Sequence, residues 1–323
     1  VNYLSPEDIA VIRHDDIDEI AAAALAHTGA KAIINTGRTM TGRFDPKGAA
    51  VLLLNKMTVF DTSLNISCFR DNDTLTILDG DILYNSYIYK DACSTVNWEY
   101  IRKRQSEAED NEKNEAISFL GNTIEHAAEE LGRLVGFSGY PRLDTRLEGR
   151  HAVVVVRNSS SLEEMLMLES YIEKYKPVFI GVDGGADIIV NCGFVPDILI
   201  GDMDSVSDIG IYKSRELVLH AYRDGYCPCL GRIRPMNIPY KLIDIPGTSE
   251  DAALMLAYHK KAEVIVLVGG HNCMEDFMSK GRPGMASTFI TRALIGTRLV
   301  DCKGLGYVAA SEGEGKGLLW AKM

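Results

Sequence analysis

Four short stretches share a chemistry that apolar strand cores rarely carry: Asp183-Gly184-Gly185, Gly201-Asp202-Met203-Asp204-Ser205, Gly247-Thr248-Ser249-Glu250-Asp251 and Gly269-Gly270-His271. Each follows an apolar run and delivers glycine with a carboxylate, hydroxyl or imidazole. Glycine lets a phosphate approach backbone N–H groups where a side chain would block it, which is the work expected of Gly184 and Gly185 at a helix start. Asp202 and Asp204 stand two apart, so an extended backbone turns both to one side. Carboxylates gathered at one edge repel one another unless a cation shares them. Mg²⁺ suits such a place, because it prefers oxygen and is commonly held by one or two carboxylates together with substrate phosphates. Asp183 and Asp251 would complete the set from neighbouring strands. Each stretch taken singly also fits ordinary turn and cap chemistry, and Ser249-Glu250-Asp251 makes a good helix start. Their agreement is what favours a site.

The elements that must position these residues follow from the pattern after His151. Apolar runs (HAVVVV, PVFIGVD, DILIGD, ELVLHAY, KLIDIP, EVIVLVGG and TRLVDC) alternate with helical stretches (SLEEMLMLESYIEKY, GADIIVNCG, SEDAALMLAYHKK and MASTFITRALIG). Short strands that are apolar throughout are covered on both faces, and the alternation predicts a doubly wound, mainly parallel sheet. In such sheets ligands bind at the carboxyl ends of the strands, near the point where strand order reverses.

The remaining chain divides on pattern. Residues 1–97 read as a β-rich α/β unit, with DIAVIRH and AKAIINT as strands around a helix and a hairpin turn at Asp79–Gly80. AAVLLLNK fits a helix or a strand. Residues 98–148 read as a helical connector rich in charges of both signs. In that connector Ile117, Leu120, Ile124 and Leu131 lie near helical spacing as one buried stripe, or alternatively as the face of a dimerisation helix. Residues 149–303 hold the parallel sheet, and residues 304–323 form a Gly-rich tail.

Composition narrows the partners. The chain has 323 residues, more than one ordinary core accommodates, and 46% of them are hydrophobic. Its formal net charge of -11 gives no global basic field, which argues against nucleic acid as a partner but leaves a nucleotide open. Seven cysteines without paired CxxC motifs read as reduced thiols, and the Cys227/Cys229 pair near His220 lacks an evident fourth zinc ligand. No apolar run reaches bilayer length, so a cytoplasmic location is expected. The chain begins at Val1, which suggests processing or trimming.

The segments DGGAD, PDILIGDMDS and SED, over roughly residues 175–260, resemble the catalytic domain of thiamine pyrophosphokinases. The resemblance implies Mg²⁺ and ATP as ligands, diphosphate transfer to an alcohol acceptor, Asp183, Asp202, Asp204 and Asp251 as metal- or nucleotide-facing acids, and Ser205 as a phosphate neighbour. The segment that this family carries after the next strand is replaced here by GGHNCMEDFMSKGRPGMASTF. The thiamine-handling part is not visible, so thiamine as acceptor is a family-level expectation.

Over nearly the whole length, the order IAVIRHDDID, LGNTIEH, LEGRHAVVVVR, GVDGGAD, GDMDSVSD, HAYRDG, GTSEDAALML and KGRPGMASTF is similar to SteA-type bacterial proteins. That resemblance implies a role in cell division, a membrane-bound partner of the SteB kind, and association with the division site through a C-terminal segment outside this sequence. It also singles out Arg223 and Asp224 for a phosphate or base. Arg282, Ser287 and Thr288 stand before a helix, where donors and the helix dipole favour an anion; Thr248 and Ser249 join them as nucleotide contacts. AKAIINTGRTMTGRF and DTLTILDGDILYN resemble the swivelling phosphohistidine domains, but no reactive histidine occupies the matching place. Arg38 and Arg43 there fit an anion site or a solvated loop.

Overall fold

The apolar runs after His151 form one sheet. A computed structural model of the chain describes residues 4–222, 225–271, 273–278 and 282–303. These fall into two compact units, Val1–Asn122 with Cys273–Gly284, and Thr123–Asn272 with Met285–Met323.

In the first unit, β1 (Ile9–Ile12), α1 (Glu19–Thr28), β2 (Ala32–Asn35), α2 (Gly48–Leu54) and β3 (Val59–Thr62) build a parallel βαβαβ core. The ambiguous AAVLLLNK segment is therefore the helix α2. A meander of β4 (Leu75–Leu78), β5 (Asp81–Tyr84) and β6 (Tyr87–Tyr89) follows. Asp79 and Gly80 join β4 to β5 at φ 48° and 90°, the left-handed pair that a two-residue hairpin requires. Strand β7 (Cys93–Val96) then pairs antiparallel with β3. Arg43 forms a two-point ion pair with Glu115, at 3.1 and 2.7 Å, so its charge is engaged within the unit.

Helix α3 (Trp98–Val135) runs for 38 residues. The expected buried stripe is on another face: Ile117, Leu120, Ile124 and Leu131 are all exposed, whereas Ile101, Ala108, Phe119, Thr123 and Leu134 are buried. Two apolar faces share this helix, and spacing alone cannot say which one the protein covers.

The second unit contains β8 (His151–Val156), α4 (Ser161–Met167), α5 (Glu169–Tyr175), β9 (Val178–Val182), α6 (Gly185–Asn191), β10 (Ile198–Gly201), α7 (Asp208–Lys213), β11 (Glu216–His220), α8 (Leu230–Ile233), β12 (Tyr240–Ile243), α9 (Ser249–His259) and β13 (Val264–Val268). The short α10 (Met274–Met278) belongs to the first unit, after which α11 (Ala286–Ile295) and β14 (Leu299–Asp301) complete the second. The strand order is β12-β11-β10-β9-β8-β13-β14 and every pairing is parallel. Both faces are covered, which explains the unbroken apolar runs. Along β8, Ala152, Val154 and Val156 enter one core with α9, while Val153 and Val155 enter another with α4 and α5. Strand order reverses between β8 and β13, so the switch point lies where Arg157 and Gly269 leave the sheet.

No helix among the described residues is long and apolar enough to cross a membrane.

Candidate functional site

The carboxyl ends of β9 and β10 bring three acids together. Oxygens of Asp183, Asp202 and Asp204 lie within 4.8 Å of one another, the only such group of metal-competent side chains among the described residues. The backbone is built to allow this. Asp183 and Met203 both adopt left-handed conformations, at φ 46° and 60°. Gly201, at φ 150°, leaves the space that the Asp183 carboxylate fills: a Cβ there would stand 1.9 Å from Asp183 Oδ1. Gly185 has a comparable reason, since its Cβ would meet the Val155 carbonyl oxygen at 1.9 Å. These contacts are backbone or fixed carboxylate and cannot swing aside.

Several hydrogen bonds hold the acids in place. Met203 N–H donates to Asp183 Oδ1 at 2.9 Å, and Asp204 N–H donates to Asp202 Oδ1 at 3.2 Å. Arg232 on α8 donates to the carbonyls of Met203 and Val206 and pairs with Asp208, clamping the loop that carries Asp202 and Asp204. Ser205 Oγ accepts a long 3.4 Å bond from Gly184 N–H.

Electrostatics makes the group unstable without a counter-charge. Burial, then the charges of Asp202 and Asp204, push Asp183 from 3.8 up to about 7, against the Met203 and Ser249 donors that favour its ionised form. Asp202 is exposed as a residue, yet desolvation of its carboxylate and the adjacent Asp204 raise it too. An all-oxygen donor set with excess negative charge fits a hard divalent cation such as Mg²⁺. Asp202, Asp204 and Asp183 are the residues that would hold it, and the cation would supply charge neutralisation for a bound phosphate.

Ser249 and His220 extend the site from α9 and β11. The Ser249 hydroxyl reaches the Asp183 carboxylate and lies 3.3 Å from His220 Nδ1. His220 Nε2 lies 2.8 Å from the Ile245 carbonyl, which can only accept, so Nε2 carries a proton.

Asp251 has a different setting. It is fully buried, and its Oδ2 accepts from Thr248 N–H, Ser287 Oγ–H and Thr288 Oγ1–H at 3.0, 2.8 and 3.1 Å. With the Thr248 hydroxyl accepting from Asp251 N–H, it closes a capping box on α9. Ser287 and Thr288 are thus committed to Asp251 and not presented to an anion. Asp251 Oδ1 and Glu130 Oε2 are buried with no partner among the described residues, and each carboxyl is raised, chiefly by burial and then by a neighbouring acid. Arg282 is exposed, and Arg223 and Asp224 lie outside the described residues. His271, after β13, engages buried Glu250 through Nδ1 at 2.8 Å. The Cys227 and Cys229 sulfurs pack against each other at 3.1 Å, and burial pushes Cys229 up to about 12.

Sequence reasoning missed Arg157, whose side chain lies against Gly184, and Arg232, and it named His220 only beside the Cys227/Cys229 pair. The first two act on loops of other strands, so only strand order reveals them. His220 closes an apolar strand, a signal that resembled an ordinary strand end.

No protein-family model matches the chain, and no curated protein does. Among solved structures, thiamine pyrophosphokinase from Bacillus subtilis is similar at 18% identity over 41% of this chain and 52% of its own, with a TM-score of 0.27. The matched part spans about half the length of that protein, and a likeness at this level assigns no residue a role.

Proposed function

We propose that the chain is a Mg²⁺-dependent, ATP-binding protein that transfers diphosphate to an alcohol acceptor. The observation that carries this is the Asp183–Asp202–Asp204 group, whose oxygens lie within 4.8 Å of one another at the carboxyl edge of a parallel sheet. Asp202 and Asp204 would hold the cation, which would neutralise the charge of the phosphates. The acceptor oxygen bonds to the β-phosphorus, the bond from that phosphorus to the α-phosphate breaks, and AMP leaves with the electron pair. Asp183, the most buried acid of the group, is placed beside the cation site where it would take the hydroxyl proton. Asp251 is not, because burial and three donors occupy it. The motif resemblance makes thiamine the first acceptor to test. Calorimetry with Mg-ATP, followed by an AMP-release assay with and without thiamine, tests the reading. Absence of nucleotide binding contradicts it.

A second reading is a nucleotide-gated, non-catalytic scaffold of the SteA type, working at the division site with a membrane-bound partner. Two observations favour it. Asp251, one of the four acids that the resemblance assigns to the reaction, is withdrawn into a helix cap, and a separate unit, Val1–Asn122 with Cys273–Gly284, accompanies the sheet. The exposed Ile117, Leu120, Ile124 and Leu131 would serve a second copy of the chain, which sedimentation would detect. Nucleotide binding without AMP release, lost in Asp202→Ala, supports this reading. Acceptor-dependent AMP release refutes it.

A further inference from the structure

Arg157 leaves β8 at the switch point, one strand from the acidic group. It is half-buried, and among the described residues no hydrogen bond or ion pair engages its guanidinium. Its position is defined by Gly184: a Cβ on that glycine would stand 2.7 Å from Arg157 Nε, 2.8 Å from Cζ and 3.0 Å from Cδ. The guanidinium therefore lies against the Gly184 backbone, in space that only glycine leaves open.

Ser205 meets the same glycine through its backbone N–H. Its Oγ accepts the Gly184 N–H at 3.4 Å, which leaves the hydroxyl proton available to donate. Gly184 follows Asp183, and Ser205 follows Asp204. A guanidinium and a hydroxyl thus both meet Gly184, the residue after Asp183, and neither forms a hydrogen bond or ion pair with the acids among the described residues.

We infer that Arg157 and Ser205 form a metal-independent phosphate subsite, which grips the phosphate of a polyphosphate chain next to the one that the cation holds. The inference deepens the nucleotide reading and rests on it for the identity of the ligand. Guanidinium nitrogens match phosphate oxygens in a two-point geometry that lysine cannot reproduce. The two halves divide the work: carboxylates act through a cation, and Arg157 acts directly. With one phosphate in each half, the inferred ligand class is a di- or triphosphate rather than a monophosphate.

The test is calorimetric binding of inorganic tripolyphosphate in EDTA, and of ATP, ADP and AMP with and without Mg²⁺. The expected result is measurable tripolyphosphate binding by the wild type in EDTA, weakened roughly tenfold or more in Arg157→Ala. Arg157→Lys should retain an intermediate affinity. Gly184→Ala, which displaces the guanidinium without removing it, should weaken binding as well, while Asp202→Asn should leave tripolyphosphate binding in EDTA no weaker. Melting curves show whether each variant is folded. Wild-type binding of Mg-ATP with no tripolyphosphate binding in EDTA overturns the subsite and leaves the nucleotide reading standing. Equal affinity in wild type and Arg157→Ala does the same. Tripolyphosphate binding that depends on Arg157, with no gain for ATP from Mg²⁺, upholds the subsite and removes the metal from the nucleotide reading.

Discussion

The Met203 backbone N–H donates to Asp183 Oδ1 at 2.9 Å, joining the ends of β9 and β10 through two residues that are both left-handed. This bond holds the Asp183 carboxylate in the place where Asp202 and Asp204 repel it. The folded protein therefore binds the Asp183 proton more tightly than the unfolded chain does, at about 7 against 3.8. A carboxyl raised in this way contributes stability that is greatest below the unfolded value and is lost as pH rises through the folded one. Metal-free protein should lose stability between about pH 4 and pH 7 on account of this group. Thermal melts across that range, compared with Asp183→Asn, check this: the variant should show a flatter profile. A wild-type profile that rises relative to the variant would refute the assignment.

Asp202→Asn removes one charge from the group and one ligand from the cation. Metal-free Asp202→Asn should melt at or above the wild-type temperature, since repulsion falls. Added Mg²⁺ should raise the wild-type melting temperature and leave that of the variant nearly unchanged. Equal Mg²⁺ stabilisation in both would show that the acids hold no cation.

Two glycines test the geometry of the loop. Gly185→Ala drives a methyl to 1.9 Å from the Val155 carbonyl and should destabilise the fold by about 1–3 kcal/mol or more, read by denaturant titration. Gly201→Ala collides with the Asp183 carboxylate and also strains a backbone at φ 150°. It should lose Mg²⁺ stabilisation along with fold stability. Retention of both would mean that Asp183 is free to rotate away.

Asp251→Ala separates cap from site. Removing the carboxylate breaks the capping box and leaves Ser287 and Thr288 without their acceptor, at a cost of about 2–4 kcal/mol. If Asp251 is structural, the surviving folded protein keeps its Mg²⁺-dependent stabilisation. Loss of that increment in a folded variant would return Asp251 to the site.

The parallel sheet was legible because strands buried on both faces have no polar residue to interrupt them. The acids at the ends of β9 and β10 were legible for the same reason: Asp183, Asp202 and Asp204 stop runs that would otherwise stay apolar. Asp251 shows where reading stops. Ser-Glu-Asp at a helix start has one appearance for a cap and for a catalytic acid, and only burial and the Ser287 and Thr288 hydroxyls, 36 and 37 residues away, distinguish them. Arg157 and Arg232 were illegible because their meaning depends on Gly184 and Met203, which belong to other strands. The α3 stripe failed differently. Ile117 and Ile124 have the right spacing, but spacing does not specify which of two apolar faces the fold covers.

The decisive measurement is calorimetric titration of ATP into wild-type protein, Asp202→Ala and Asp204→Ala, each with Mg²⁺ and with EDTA. Saturable binding by the wild type, strengthened by Mg²⁺, is expected, with loss of that strengthening in both variants. Wild-type protein that binds no ATP in Mg²⁺, or variants that bind it as well as the wild type does, would rule out a metal-and-nucleotide site at these acids.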